Sequence, residues 1–230
     1  MKAYLEPTDI FKMKEEATNV RDELLVSTSF RLGTRISETL AIGVDDIDFA
    51  NGTITIKHLK SRIKLKCPEC QAALCLTTIF CPACGAKVES AIHDIKDVRR
   101  QRVLPVDDTL LSLVKKFIAS GGPVERNGRL VLFGINRHRA WQIIKNLAEK
   151  AGLPKLINPE TGKIHNASPH KLRDAFAVFA MKHNDSGEGM RMLQQHLGHQ
   201  SFNTTAKYRK IAGEEHRKWY QDLWTGGSED

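Results

Sequence analysis

Long apolar runs are missing from this chain. The longest, Ala175 to Met181, falls far short of the ~20 residues that a membrane-spanning helix needs, so no membrane partner is expected. A secretory leader is missing too: Met1-Lys2-Ala3-Tyr4-Leu5-Glu6-Pro7 turns acidic at once. The expected location is the cytoplasm. No internal repeat and no low-complexity tract is present. Cysteine is scarce, with five in 230 residues, and four of these fall in two Cys-x-x-Cys pairs. In a reducing compartment that pattern argues for a metal rather than a disulfide framework. Acidic residues are outnumbered, 27 against 35 Lys and Arg, giving +8 and a pI near 9.3. That balance favours an anionic partner.

What is present suffices for a folded core. Hydrophobic residues make up 41% of the chain, which argues against disorder. The length suits one large domain, or one domain with a small appendage. The charge is uneven. Residues 57–102 hold ten Lys/Arg and four Asp/Glu, most of the basic excess.

Pro7-Thr8-Asp9 reads as the start of a helix through residue 16, and further helices are expected at about 22–32 and 35–42. Asn51-Gly52, between Asp45–Phe49 and Thr53–Ile56, predicts a hairpin. Lys60-Ser61-Arg62-Ile63-Lys64-Leu65-Lys66 alternates, so a strand would place its four basic residues on one face. Arg99 to Pro105 is expected to be that strand's partner, with the cysteine segment inserted between them. Beyond Pro105 the pattern is helical, at about 107–119, 136–151, 169–183, 188–197, 201–209 and 214–224. Gly121–Pro123 and Leu153–Asn166 read as loops. The tail from Thr225 is expected to fray.

Cys67-Pro68-Glu69-Cys70 and Cys81-Pro82-Ala83-Cys84 are separated by ten residues. Four thiolates form a closed tetrahedral set with no open position, which suits one structural zinc. Four thiolates with one divalent ion would lower the formal charge to about +6. Cys75 is read as a buried small side chain and His93 as a distant alternative ligand. The module serves either as a staple or, the reading favoured by the basic run leading into it, as an added contact with DNA or protein.

The order Arg35, His170, Arg173, His199, Tyr208 carries the chemistry. A phosphodiester under attack concentrates negative charge on its non-bridging oxygens. Two arginines meet that charge with planar forks, the role a divalent ion would otherwise fill. A phenol can attack phosphorus, and the ester it forms conserves the bond for rejoining. Histidine or lysine can protonate the leaving oxygen. Singly, each residue has a plain alternative: a surface arginine, a first-turn histidine, a post-helix polar residue, a core tyrosine. It is the ordered set that resists those alternatives.

In these motifs the chain resembles the tyrosine recombinases, the phage integrase and Xer-type class. Arg35-Ile36-Ser37-Glu38 matches the family's first arginine. His170-Lys171-Leu172-Arg173 matches its His-x-x-Arg and Leu197-Gly198-His199 its Leu-Gly-His. Tyr208, nine residues beyond His199 and preceded by Thr204-Thr205, matches the nucleophile. The resemblance covers nearly the whole chain apart from the cysteine module.

It implies a mostly α catalytic domain with a small antiparallel β-sheet (α+β) and a zinc-ribbon-like insertion. The expected boundaries are 1–213 for the domain, 63–95 for the inserted four-cysteine zinc module, and 214–230 for a C-terminal helix and tail. That last helix places His216, Trp219, Tyr220 and Leu223 on one face, to pack on its own domain or on a neighbouring subunit. The implied activity is site-specific cutting and rejoining of DNA through a 3′-phosphotyrosine, with no metal or nucleotide cofactor in catalysis.

The resemblance also implies residue roles. Arg35 and Arg173 grip the phosphate and Tyr208 attacks it. Lys60, with Lys57 and Lys64 as rivals, acts as general acid. His170 assists proton transfer, His199 donates to a non-bridging oxygen, and Glu38 is structural. Arg62, Lys64, Lys66, Arg99 and Arg100 are expected to contact double-stranded DNA. Further copies of the chain, as dimer or tetramer, are expected on it. Asp174 follows Arg173 where family members often carry histidine. Relatives generally also carry an N-terminal clamping domain, whereas this chain opens almost directly on the catalytic part, so weaker DNA affinity is expected. Two other readings stay open: a DNA-binding accessory of recombination, and a type IB topoisomerase-like enzyme.

Overall fold

The computed structural model describes residues 2–57, 62–75, 77–96, 101–158, 161–208 and 220–223, with the side chains of 62–64 and 93–96 outside the description. Helices α1 (Pro7–Glu15), α2 (Val20–Arg31) and α3 (Ile36–Leu40) come first. Strands β1 (Ile47–Asp48), β2 (Thr53–Lys57), β3 (Arg62–Lys66), β4 (Ala73–Leu74), β5 (Ile92–Lys96) and β6 (Gln101–Pro105) follow. Then come α4 (Asp108–Ala119), β7 (Val124–Arg126), β8 (Arg129–Val131), α5 (Arg137–Lys150), β9 (Leu156–Ile157) and β10 (Ile164–His165). Helices α6 (Pro169–His183), α7 (Gly187–Leu197) and α8 (Phe202–Ala206) complete the order. The fold is thus mostly helical with small antiparallel sheets. No helix among the described residues is long and apolar enough to cross a membrane.

The chain divides into two compact units, one of residues 1–56 with 102–230, the other of 57–101. In the larger unit the apolar stripes of α2, α4 and α5 meet around Leu24, Leu25, Leu110, Val114, Ile144 and Phe133, with Ile54, Ile56 and Leu104 from the strands. A second cluster joins Ala177, Met181, Met190, Leu193 and Leu197, with Tyr208 half-buried against it. Helix α6 serves both clusters, sending Leu172 and Ala175 to the first and Ala177 and Met181 to the second. Two apolar anchors on one rigid helix fix the face that lies between them.

Strand pairing departs from expectation. Gln101–Pro105 joins β2, in the order β1-β2-β6, and is not the partner of β3. The partner of β3 is β5, in antiparallel register Arg62↔Lys96 through Lys66↔Ile92. The cysteine segment therefore closes its own ladder, β4-β3-β5. Two further ribbons appear. Residues 153–166, expected to be a loop, contain the pair β9–β10. Strands β7 and β8 pair around Asn127-Gly128, both at positive φ, the turn geometry that Asn-Gly favours. Strand β9 also receives the chain start, where the Ile157 amide donates to the Lys2 carbonyl at 2.9 Å.

In the smaller unit each Cys-x-x-Cys forms a tight knuckle, and the two are near copies. The amides of Cys67 and Cys81 donate to Ala72 and Ala86 carbonyls, both at 2.9 Å, while Gln71 and Gly85 donate back to Cys67 and Cys81 carbonyls. Both Gln71 and Gly85 sit in the left-handed region, φ 61° and 73°. Cys75 is exposed, not buried as expected. So small a unit has little interior, and Cys67 and Cys81 occupy it.

Candidate active site

Arg173 lies in the second turn of α6 and is 3% exposed. Its guanidinium is held on three sides. Nη1 donates to the Gly33 carbonyl at 2.6 Å, and Nη2 donates to the Leu197 carbonyl at 2.9 Å and to His199 Nε2 at 3.0 Å. Burial lowers its pKa to about 10, with Arg35 adding repulsion. It stays charged at neutral pH.

The Leu-Gly-His motif has a local cause. Leu197 is the buried last residue of α7, and Gly198 takes the left-handed cap, φ 67° and ψ 38°. The His199 amide reaches back to Gln194 and the Gly198 amide to Gln195, closing the helix end as a Schellman motif does. The turn delivers His199 to Arg173. Since a guanidinium only donates, Nε2 accepts, and the ring proton lies on Nδ1, facing Thr205 Oγ1 at 3.0 Å. Burial first, then the positive field of Arg173, Arg35 and Arg102, lowers His199 to about 4. His199 is thus a neutral acceptor here. To donate to a phosphate oxygen, as expected, its Nε2 must first gain a proton.

Tyr208 follows α8, whose Thr205 is fully buried and accepts the Tyr208 amide at 3.0 Å. The phenol stacks on the His199 ring, centroids 6.0 Å apart and planes 14° apart. Its hydroxyl donates to Asp174 Oδ1 at 3.2 Å. Burial raises its pKa to about 12, with Asp174 adding to the rise and Arg173 opposing it.

Arg35 caps α3. Its amide donates to Glu38 Oε2 at 3.1 Å and its Nη1 meets Glu38 Oε1 at 3.0 Å. Glu38 is buried and also holds Arg102 Nη2 at 2.8 Å. Its side chain leaves water at a cost, but the Arg102 and Arg35 bonds prevail and lower its pKa to about 2. Arg102 in turn donates through Nε to the His196 carbonyl at 2.9 Å. His196 itself donates through Nε2 to the Leu32 carbonyl at 3.0 Å, a structural role.

These elements border one cleft of about 520 Å³. Arg35, His170, Arg173, His199 and Tyr208 all line it, as do Tyr4, Asn158, Lys171, Asp174 and Lys207. His170 and Asp174 lie one turn apart on α6, with Nε2 and Oδ1 separated by 3.7 Å. Lys60, Arg99 and Arg100 lie outside the described residues. Arg62 and Lys64 belong to β3 with undescribed side chains, and Lys66 is half-buried at its end.

Sequence reasoning missed Arg102 as a positioning residue. It shares the alternation of β6 with buried Leu104, and that period of two was the available signal.

In the smaller unit the Cys67, Cys70, Cys81 and Cys84 sulfurs all lie within 4.8 Å of one another. The Cys67–Cys84 and Cys70–Cys81 separations are 3.7 and 3.6 Å. A tetrahedral ion with thiolates at about 2.3 Å spaces its sulfurs by about 3.8 Å. The set can hold a metal ion. Amide groups of Cys84 and Ala83 favour the Cys81 thiolate, lowering that thiol to about 6.

The chain is similar to the tyrosine recombinase XerD of Corynebacterium glutamicum, 26% identical over 215 residues, covering 90% of this chain and 53% of that protein. It thus spans about half the length of that relative. Solved folds resemble it as well. The crystal structure of XerA recombinase gives a TM-score of 0.64 at 19% identity, over 97% of this chain and 64% of that one. XerH site-specific recombinase bound to palindromic difH substrate, in a post-cleavage complex, gives 0.62 at 18%, over 97% and 53%. The phage integrase family model matches residues 86–215, a span that includes His170, Arg173, His199 and Tyr208. Matched over more than half of its length, the chain belongs to the phage integrase family.

Proposed function

We propose that the protein cuts and rejoins DNA strands at specific sites, through a 3′-phosphotyrosine at Tyr208. One observation carries this reading: Arg35, His170, Arg173, His199 and Tyr208, drawn from three separated parts of the chain, line a single cleft. In the proposed reaction Arg35 and Arg173 neutralise the non-bridging oxygens. Arg173 is fixed by two carbonyls, so its fork is set before substrate arrives. Tyr208 forms the new bond to phosphorus, and the leaving 5′-oxygen takes its proton from Lys60. His170, an exposed residue of the cleft lining, assists proton transfer. His199 steadies Arg173 and meets the phosphate once protonated.

The partner is double-stranded DNA, with further copies of the chain on it as dimer or tetramer. The relatives' names and the net charge of +8 support this. Arg62, Lys64, Lys66, Arg99 and Arg100 are proposed to contact phosphates, on the strength of their alternation and clustering in the sequence. The module at 63–95 is proposed to hold one structural zinc through its four cysteines. A closed all-thiolate set at tetrahedral spacing suits that ion. The catalytic domain is assigned to 1–213 and the exchangeable C-terminal helix and tail to 214–230, in the cytoplasm.

A nicked duplex that loses its cleaved fragment traps the intermediate. Wild-type protein should accumulate a covalent protein–DNA adduct, and Tyr208→Phe should form none. Adduct persisting in Tyr208→Phe would refute the proposal.

A further inference from the structure

The proposed attack leaves a proton unaccounted for. As the Tyr208 oxygen bonds to phosphorus and the P–O5′ bond breaks, the phenol must lose its hydrogen. Lys60 serves the leaving oxygen, on the other side of phosphorus. Of the cleft's possible acceptors, His170 stands against Asp174, its Nε2 3.7 Å from Oδ1. His199 stacks on the Tyr208 ring with centroids 6.0 Å apart. Its nitrogens point along its own plane, one to Arg173 and the other to Thr205. Arg35 and Arg173 cannot accept. Among the described residues, the acceptor that the hydroxyl meets is Asp174, at 3.2 Å.

We propose that Asp174 is a catalytic base of this enzyme, taking the Tyr208 proton as the phosphotyrosine forms and returning it when the strand is rejoined. The inference rests on the strand-transfer reading above. The step balances. The phenol O–H breaks, the O–P bond forms and the P–O5′ bond breaks. One proton goes to the Asp174 carboxylate and another from Lys60 to the 5′-oxygen. In rejoining, the 5′-hydroxyl attacks, the phenol oxygen leaves, and Asp174 gives its proton back.

Two basic side chains flank the carboxylate. His170 Nε2 lies 3.7 Å from Oδ1 and Lys171 Nζ lies 3.6 Å from Oδ2. Lys171 balances the carboxylate beside an incoming phosphate, and a neutral His170 is placed to share the proton through it. Asp174 and His170 lie one helical turn apart, so α6 fixes the pair. Burial also leaves Tyr208 reluctant to ionise alone, at about 12. At pH 8 roughly one phenol in 10⁴ would be free phenolate, so the proton must leave during the attack.

Asp174→Asn keeps the shape and the hydrogen-bond acceptor but cannot take a proton. In single-turnover cleavage of the nicked duplex it should slow adduct formation by about 10²–10⁴-fold, with DNA binding unchanged. On a 5′-bridging phosphorothiolate, whose thiolate leaves without a proton, Lys60→Ala should recover and Asp174→Asn should stay slow. Asp174→Glu, which retains a carboxylate, should recover part of the rate. Adduct formation by Asp174→Asn at or above the wild-type rate would overturn the proposal, as would rescue by the phosphorothiolate. Equal losses in Asn and Glu variants would make Asp174 a packing group and would also overturn it. Wild-type protein that forms no adduct fails the strand-transfer reading instead, so the two failures are distinguishable.

Discussion

Arg173 donates to His199 across 3.0 Å, and that bond sets the state of both residues. The guanidinium gains an acceptor inside the fold, and the imidazole is held neutral with its proton on Nδ1. An expected phosphate donor is thus an acceptor before substrate arrives. Its titration should be displaced accordingly. Histidine ¹⁵N spectra should show Nδ1-protonated His199 at pH 6, with a midpoint near 4. A midpoint near 6.5 would contradict the arrangement.

Acid stability follows from two groups. His199 is lowered below its unfolded value, so the unfolded chain binds the extra proton between about pH 6.5 and 4, and stability falls as pH drops through that window. Glu38, lowered to about 2, stabilises fully above its unfolded value near 4.5 and loses that contribution as pH falls toward 2. Its share is on the order of 3 kcal/mol. Urea unfolding at stepped pH should show a decline beginning near pH 6 and steepening below 4.5. A flat profile from pH 7 to 4 would count against both.

Glu38→Ala should be costly because two arginines converge on it. Arg102 would be left largely buried without its anion, a loss of about 3–5 kcal/mol. Arg35 would lose its clamp, so adduct formation should fall more than DNA binding. A variant with wild-type melting and activity would show that the network is idle.

Gly198→Ala tests the helix end. A side chain at φ 67° costs roughly 1–2 kcal/mol, and its Cβ would stand 3.2 Å from Arg102 Nη1. Both stability and cleavage should drop, since Leu197 and His199 orient Arg173 from either side of this glycine. Wild-type cleavage in Gly198→Ala would uncouple the cap from the site.

Elemental analysis should find about one zinc per chain, lost with Cys67→Ser/Cys70→Ser. A stable native protein without metal would defeat the zinc assignment.

The sequence made the ordered chemistry legible because each motif has a local requirement. The Leu-Gly-His triplet needs a left-handed cap, and His-x-x-Arg follows from helical spacing on α6. Other features depended on partners that the sequence does not name. Val124-Glu125-Arg126 is exposed throughout, so no buried alternation betrayed its strand. The pairing of β6 with β2 instead of β3 is a long-range choice between two plausible neighbours. The exposure of Cys75 reflects how little interior the 57–101 unit has. The Tyr208–Asp174 bond joins residues 34 positions apart and follows from packing α6 and α8 on α7.

Two tyrosines border the cleft, Tyr4 and Tyr208, and only one can be the nucleophile. Proteolysis of the trapped adduct, followed by mass spectrometry of the peptide carrying the nucleotide, decides between them. A phosphodiester on Tyr208 alone is expected. A nucleotide found on Tyr4, or on any residue other than Tyr208, would contradict it.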